Sequence, residues 1–190
     1  MPESRDHFLL RVLLFQILRA ALGTESTVGS DQFVYWNAAD PRRCLAPDVF
    51  ARLGTPDHSF ESWKTWQVGA PQLAVEIVSR SDAGEEAWNE KLARYHELGV
   101  DELVRFEPDA DQGSRLRVWD RLDGDLVERV VTADRTPSTT LAGVWVVVPT
   151  PDLAAALRVA TVEGALWPTP EERAARRVLE LDAELRRRGA

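Results

Sequence analysis

Cysteine is almost absent: of 190 residues only Cys44 carries a thiol. That excludes a disulfide framework and any multi-cysteine zinc site. Lysine is nearly as scarce, since the 23 basic residues comprise 21 arginines and only Lys64 and Lys91. No run approaches the roughly 18 consecutive apolar residues that spanning a bilayer requires. No glycine-rich phosphate loop occurs, nor a Gly-X-Ser-X-Gly elbow. Positive charge is the minority sign, and a net charge of −8 argues against a protein that coats nucleic acid through bulk electrostatics. Local contact with DNA is not excluded by that total.

What is present is enough to fold. With 44% hydrophobic residues, 7 Trp and 6 Phe, the chain can bury a core that offsets its conformational entropy. The length fits one domain with a short appendage: a domain over residues 1–168 and an amphipathic helix over 169–190. The Arg-for-Lys skew is consistent with GC-rich coding, so a surviving lysine draws notice. A compact ammonium can sit beside a reacting group where a rigid guanidinium fork cannot.

Phe8 to Leu22 is strongly apolar but interrupted by Arg11, Gln16 and Arg19. Acidic Glu3 and Asp6 precede it, where a secretory signal carries positive charge. The pattern predicts a buried first helix ending near Gly23, and with it a cytoplasmic protein with no membrane partner. Strands are expected at Gln32 to Trp36 and Leu45 to Arg52, with a loop and a helical turn over Thr55 to Gly69. Leu73 to Val78 reads as a central strand. A helix follows, with Asp82 as N-cap and Glu85 at capping-box spacing; Trp88, Leu92 and Tyr95 form its stripe and Gly99 its stop. Further strands are expected at Glu102 to Glu107, Arg115 to Asp120, Leu126 to Val131 and Val144 to Val148. A last helix begins with Thr169, Pro170 and Glu172, and its stripe of Ala174, Val178, Leu181 and Leu185 calls for burial against its own domain or a second subunit.

An ionisable group inside an apolar strand needs a reason. Glu76 lies within Leu73 to Val78, so its carboxylate must be paired, bound to metal or exposed on a sheet face. Asp48 repeats the pattern in the preceding long strand. Two strands that each project a carboxylate toward one point suit a hard divalent cation such as Mg²⁺, which keeps several waters. Lys91, on the helix leaving the Glu76 strand, can reach back to that point. Such a trio suits phosphodiester hydrolysis. His58 and His96 lack ligand-spaced partners, which argues against zinc, and Cys44 reads as a packed residue. Arg186, Arg187 and Arg188 read as a solvated helix terminus.

The run Ala46-Pro47-Asp48-Val49, then Gly69-Ala70-Pro71, then Val75-Glu76-Ile77-Val78-Ser79-Arg80-Ser81 resembles the Uma-type restriction endonuclease family of the PD-(D/E)XK nuclease superfamily. Lys91-Leu92-Ala93-Arg94-Tyr95, Leu98-Gly99-Val100 and Glu102 through Pro108 continue it in order, and the likeness covers about residues 5 to 148. It implies an α/β fold: a restriction-endonuclease-like core with a central mixed sheet flanked by helices, extra C-terminal strands and a terminal helix. It also implies that Asp48 is the PD aspartate and Glu76 the second metal-binding carboxylate. The superfamily's usual lysine position falls at Val78, and in this family the lysine moves to the next helix, where Lys91 stands. His7 aligns with a His near the family's first helix and is read here as an N-terminal helix residue. Family members usually carry a Gly-Glu hairpin before this helix, while the sequence here begins close to it, at Met1-Pro2-Glu3, and Leu103 to Phe106 replaces a stretch usually rich in Tyr and Trp.

The expected function is that of a metal-dependent endonuclease acting on DNA, with Mg²⁺ or Mn²⁺ held by Asp48 and Glu76 and with Lys91 at the reacting phosphate. A homodimer through the C-terminal helix is expected. The alternative is a catalytically inactive nuclease fold kept for binding, which the negative charge and the striped tail favour.

Overall fold

The structure, a computed structural model, describes residues 4–79 and 84–188. The first helix, α1 (Arg5–Leu22), begins where the Ser4 side chain accepts the His7 amide at 3.1 Å. It ends at Gly23, whose φ of +65° favours glycine. Its buried Leu10, Leu14, Ile17 and Leu18 form one stripe at helical spacing. The segment is long and apolar enough to cross a membrane, yet here that stripe seals one face of a sheet.

The chain continues through β1 (Thr27–Gly29), β2 (Val34–Tyr35), β3 (Cys44–Leu45), β4 (Val49–Arg52), β5 (Trp63–Lys64), the single turn α2 (Thr65–Val68) and β6 (Leu73–Ile77). Then come α3 (Glu85–Leu98), β7 (Glu102–Phe106), β8 (Leu116–Leu122), β9 (Asp125–Arg129), β10 (Arg135–Pro137), β11 (Val144–Val148), β12 (Ala156–Ala160) and α4 (Pro170–Arg188). The central sheet runs β1-β4-β6-β7-β8-β9. Within this sheet only β6 and β7 pair in parallel, and α3 is the crossover that a parallel pair requires. The architecture is thus α/β with a central mixed sheet.

All five residues of β6 are buried, because both faces of the sheet are covered. On one side Val49, Leu73, Val75 and Ile77 pack with Leu10, Leu14 and Leu18 of α1. On the other, Phe50, Ala74 and Leu103 pack with Trp88, Tyr95 and Leu98 of α3. The small sheet β10-β11-β12 adds Trp145, Leu157 and Val159 to the α1 side. It is tied to β7 by the buried Glu102, which accepts from Ser138 Oγ at 2.5 Å, Trp145 Nε1 at 3.0 Å and the Thr140 amide at 3.1 Å, and also pairs with Arg129.

Several expectations need correction. Leu45 to Arg52 is not one strand: β3 joins β2 and β5 in a small sheet, while β4 lies between β1 and β6. Pro47 separates them, having no N–H for a ladder. Asp48 therefore stands just before β4 instead of inside a strand. β1, β10 and β12 were not expected, and β5 falls in the stretch read as loop. Asp82, expected as the cap of α3, lies outside the described residues, as do Arg80 and Ser81. The cap is Gly84, so Glu85 opens the helix and its carboxylate accepts from Arg117 at 3.1 Å. Between β8 and β9 the turn at Asp123 and Gly124 has φ of +51° and +95°, the doubly positive pair of a type I′ turn.

The box at the start of α4 forms reciprocally: the Thr169 amide donates to Glu172 at 2.8 Å and the Glu172 amide to Thr169 Oγ1 at 3.1 Å. Its stripe does not dock on its own domain. Val178, Leu181 and Leu185 are 63%, 42% and 67% exposed, and α4 is held to the body near its start, by Arg173 donating to the Ala20 carbonyl and by Glu172 with Arg158.

Candidate active site

Alternation along β6 decides where Glu76 points. Leu73, Val75 and Ile77 go to α1, so Ala74 and Glu76 go to α3. Glu76 is only 2% exposed, and its carboxylate is met by α3. Lys91 Nζ donates to Oε2 at 2.5 Å, and the Tyr95 hydroxyl donates to Oε1. Lys91 and Tyr95 are four residues apart and so share one helix face. Burial pushes the Glu76 carboxyl above its usual value; the Lys91 ammonium opposes that shift, and the Asp48 charge adds to it. Burial, then the Glu76 charge, likewise pushes the Tyr95 hydroxyl well above its usual value.

Asp48 reaches the same place from the loop before β4. Its Oδ2 accepts the Ile77 amide at 2.7 Å, which locks the first carboxylate to the strand that carries the second. Ser30 Oγ holds the loop by donating to the Asp48 carbonyl at 2.8 Å. Asp48 Oδ1 faces His7 Nε2 at 3.2 Å, and the same nitrogen lies 2.9 Å from the Ile77 carbonyl oxygen. His7, Asp48, Glu76, Trp88 and Lys91 line one cleft of about 340 Å³.

The three residues singled out from the sequence, Asp48, Glu76 and Lys91, are therefore neighbours. Val78 forms part of the cleft wall as a buried apolar side chain, its amide bonded to the Phe106 carbonyl. Two partners were under-read. Tyr95 was assigned to an apolar stripe, and its hydroxyl had no visible acceptor until the strand was placed beside the helix. His7 was read as a helix residue; its likeness to a family His was the one available signal. His58 lies against Phe60 and Trp63, and His96 faces Asp125, so neither joins the site. Cys44 offers its backbone, the carbonyl accepting from Arg94 at 2.5 Å. Arg188 pairs with Glu184 on the exposed tail.

Among the described residues, no three His, Cys, Asp or Glu side chains form a ready-made metal cluster. The donor set in the cleft nevertheless fits a hard cation that is completed by backbone oxygen and water. Two carboxylates lie near enough for the charge of one to raise the pKa of the other, a strain that a cation relieves.

The family model Uma2, described as "Putative restriction endonuclease", matches residues 1–156. The chain belongs to the Uma2 family. Asp48, Glu76 and Lys91 all fall within the part that matches the Uma2 model. A solved structure, that of "a putative nuclease belonging to DUF820" from Anabaena variabilis, is similar over 81% of this Uma2 chain and 76% of its own, with a TM-score of 0.49 and 12% identity. No curated protein matches the chain.

Proposed function

We propose that this protein is a divalent-cation-dependent endonuclease that hydrolyses DNA phosphodiester bonds. The observation that carries the reading is the meeting of Asp48, Glu76 and Lys91 in one cleft, with Lys91 Nζ 2.5 Å from Glu76 Oε2. Membership in the Uma2 family, described as "Putative restriction endonuclease", supports DNA as the substrate.

Asp48 and Glu76 would hold Mg²⁺ or Mn²⁺, which when bound supplies Lewis acidity at the scissile phosphate. The chain's own groups do the positioning. Asp48 is fixed by the Ile77 amide, so its second oxygen is presented to the cleft without rearrangement. Tyr95 and Lys91 hold Glu76 in one rotamer. The half-buried Lys91 ammonium has donors to spare beyond Glu76, and these can hold a phosphate oxygen or the attacking water and offset developing negative charge.

Purified protein with supercoiled plasmid tests this, in Mg²⁺, in Mn²⁺ and in EDTA. Nicking or linearisation that needs the cation and is lost in Asp48→Asn is the expected result. A protein that never cuts under either cation sinks the nuclease reading and leaves the fold as a binding module.

Assembly is a second proposal, carried by the exposed stripe of α4: two copies pair through this helix about a two-fold axis. Antiparallel apposition sets Val178 against Leu181 of the other copy and brings Arg177 toward Glu184, so apolar and charged groups are matched together.

A further inference from the structure

We propose that the cation site of this cleft includes a nitrogen ligand, His7 Nε2, beside Asp48 Oδ1 and the Ile77 carbonyl oxygen, and that it therefore selects Mn²⁺ over Mg²⁺. The proposal rests on the nuclease reading for its setting and deepens it by naming the ion.

Three elements bring these atoms together: the first turn of α1, the loop before β4 and the end of β6. His7 Nε2 lies 2.9 Å from the Ile77 oxygen and 3.2 Å from Asp48 Oδ1. Adjacent ligands of an octahedral ion with bonds of about 2.1 Å stand about 3 Å apart, so both spacings match edges of such a shell. His7 Nε2 is within reach of both oxygens, and with Nε2 as the unprotonated ring nitrogen a cation can sit among the three atoms with little movement of the chain. All three atoms are anchored. Ser4 caps the His7 amide, Ser30 holds the Asp48 carbonyl, and the Ile77 amide grips Asp48 Oδ2.

Glu76, positioned by Tyr95 on one oxygen and Lys91 on the other, faces the same cleft as the second carboxylate of the site, and the remaining places are left to water. The ion follows from the donors. Mg²⁺ is hard, prefers oxygen and gives up water reluctantly. Imidazole suits first-row transition ions, while carboxylate and carbonyl oxygens suit Mg²⁺, Ca²⁺ and Mn²⁺. Between these two ions, a mixed set of one nitrogen with hard oxygens is better met by Mn²⁺ than by Mg²⁺. A structural zinc site would need more nitrogen or sulfur than this cleft supplies.

The test is binding, measured on chelator-stripped full-length protein without DNA. Mn²⁺ is titrated by following the free-ion electron spin resonance signal, Mg²⁺ by calorimetry, and bound Mn²⁺ is probed by electron spin echo for coupling to an imidazole nitrogen. The wild type should bind Mn²⁺ at least about tenfold more tightly than Mg²⁺ and show the nitrogen coupling. His7→Ala and His7→Gln should both lose the coupling and about tenfold or more in Mn²⁺ affinity, with a much smaller change for Mg²⁺. The Gln variant retains a polar side chain, and a thermal melt of each variant separates a lost ligand from a lost fold. Mn²⁺ bound without nitrogen coupling in the wild type, or an equal loss for both ions in folded variants, overturns the proposal. Nitrogen-coupled Mn²⁺ with no plasmid cleavage upholds the His7 site and sinks the nuclease reading. Cleavage with no nitrogen coupling does the reverse.

Discussion

Lys91 Nζ and Glu76 Oε2 lie 2.5 Å apart, joining α3 to the strand that precedes it in the chain. Glu76 is buried and Lys91 is about one-third exposed, so the ammonium both neutralises the carboxylate and reaches solvent from its side. In a chain with 21 arginines, a guanidinium would be the expected choice for a plain ion pair. Lys91→Arg puts a larger planar group into a short contact, and Lys91→Ala removes the charge. Both variants should keep the circular dichroism of the wild type and lose cleavage by about 10²–10³-fold. Full activity in a folded Lys91→Arg protein would show that any cation at this place suffices.

The raised Glu76 pKa makes metal-free stability depend on pH in a definite direction. Burial holds the folded-state value above the carboxyl's ordinary 4.5, so in the window above 4.5 the native state binds more protons than the unfolded state. The contribution from Glu76 is fully present below that ordinary value and is lost as pH rises through the folded-state value. Urea midpoints measured in EDTA should therefore fall across this window relative to those of Glu76→Gln, which cannot titrate. Lys91→Met should extend the fall to higher pH, because the opposing ammonium is gone. Parallel wild-type and Glu76→Gln curves would refute the link.

Much of the site could be read before the fold was known because its residues break local rules. A carboxylate amid Leu73, Ala74, Val75 and Ile77 asks for a partner, and a lysine in an arginine-rich chain asks for a reason. What could not be read was contact between distant segments. His7 meets Asp48 and Ile77 only after α1 lies across the sheet. Likewise β1 spans only three residues and β12 carries Arg158 at its centre, and both are set by pairing with β4 and β11. The error over Leu45 to Arg52 has a local cause. The apolar pattern runs on across Pro47, but a residue without an amide hydrogen ends the ladder there.

Glu102 carries a separate prediction for stability. It sits at the start of β7 with no exposure and accepts from Arg129, Ser138, Thr140 and Trp145. Removing the carboxylate strands several donors at once, one of them a guanidinium, in a dry junction between two sheets. Glu102→Ala should cost about 3–5 kcal/mol, which lowers Tm by roughly 10 °C for a chain of this size. Glu102→Gln should fall between, since the amide oxygen still accepts while its nitrogen opposes a donor. Scanning calorimetry decides it, and a Tm within a degree of wild type for Glu102→Ala would show that the junction stands without this group.

The tail tests whether the exposed stripe has an occupant. A helix of 19 residues with its apolar side open to water has little packing to hold it, and in proteins most helical stability comes from burying such a face. Within the helix, Arg177 with Glu180, Arg186 with Asp182 and Arg188 with Glu184 add only about 0.3–0.5 kcal/mol each. Pairing with a second copy would bury Val178, Leu181 and Leu185 and supply what these ion pairs do not. Sedimentation equilibrium should give a dimer for the full chain and a monomer after truncation at Trp167. Leu181→Glu should give the same monomer, because it sets a carboxylate against the apolar Val178 of the other copy. The monomeric forms should keep their cation-dependent cleavage in the plasmid assay at the protein concentrations where the full chain is dimeric, since none of the residues lining the cleft lies on α4. A full chain that sediments as a monomer at every concentration would remove the pairing, and a truncated chain that remains a dimer would move the interface elsewhere.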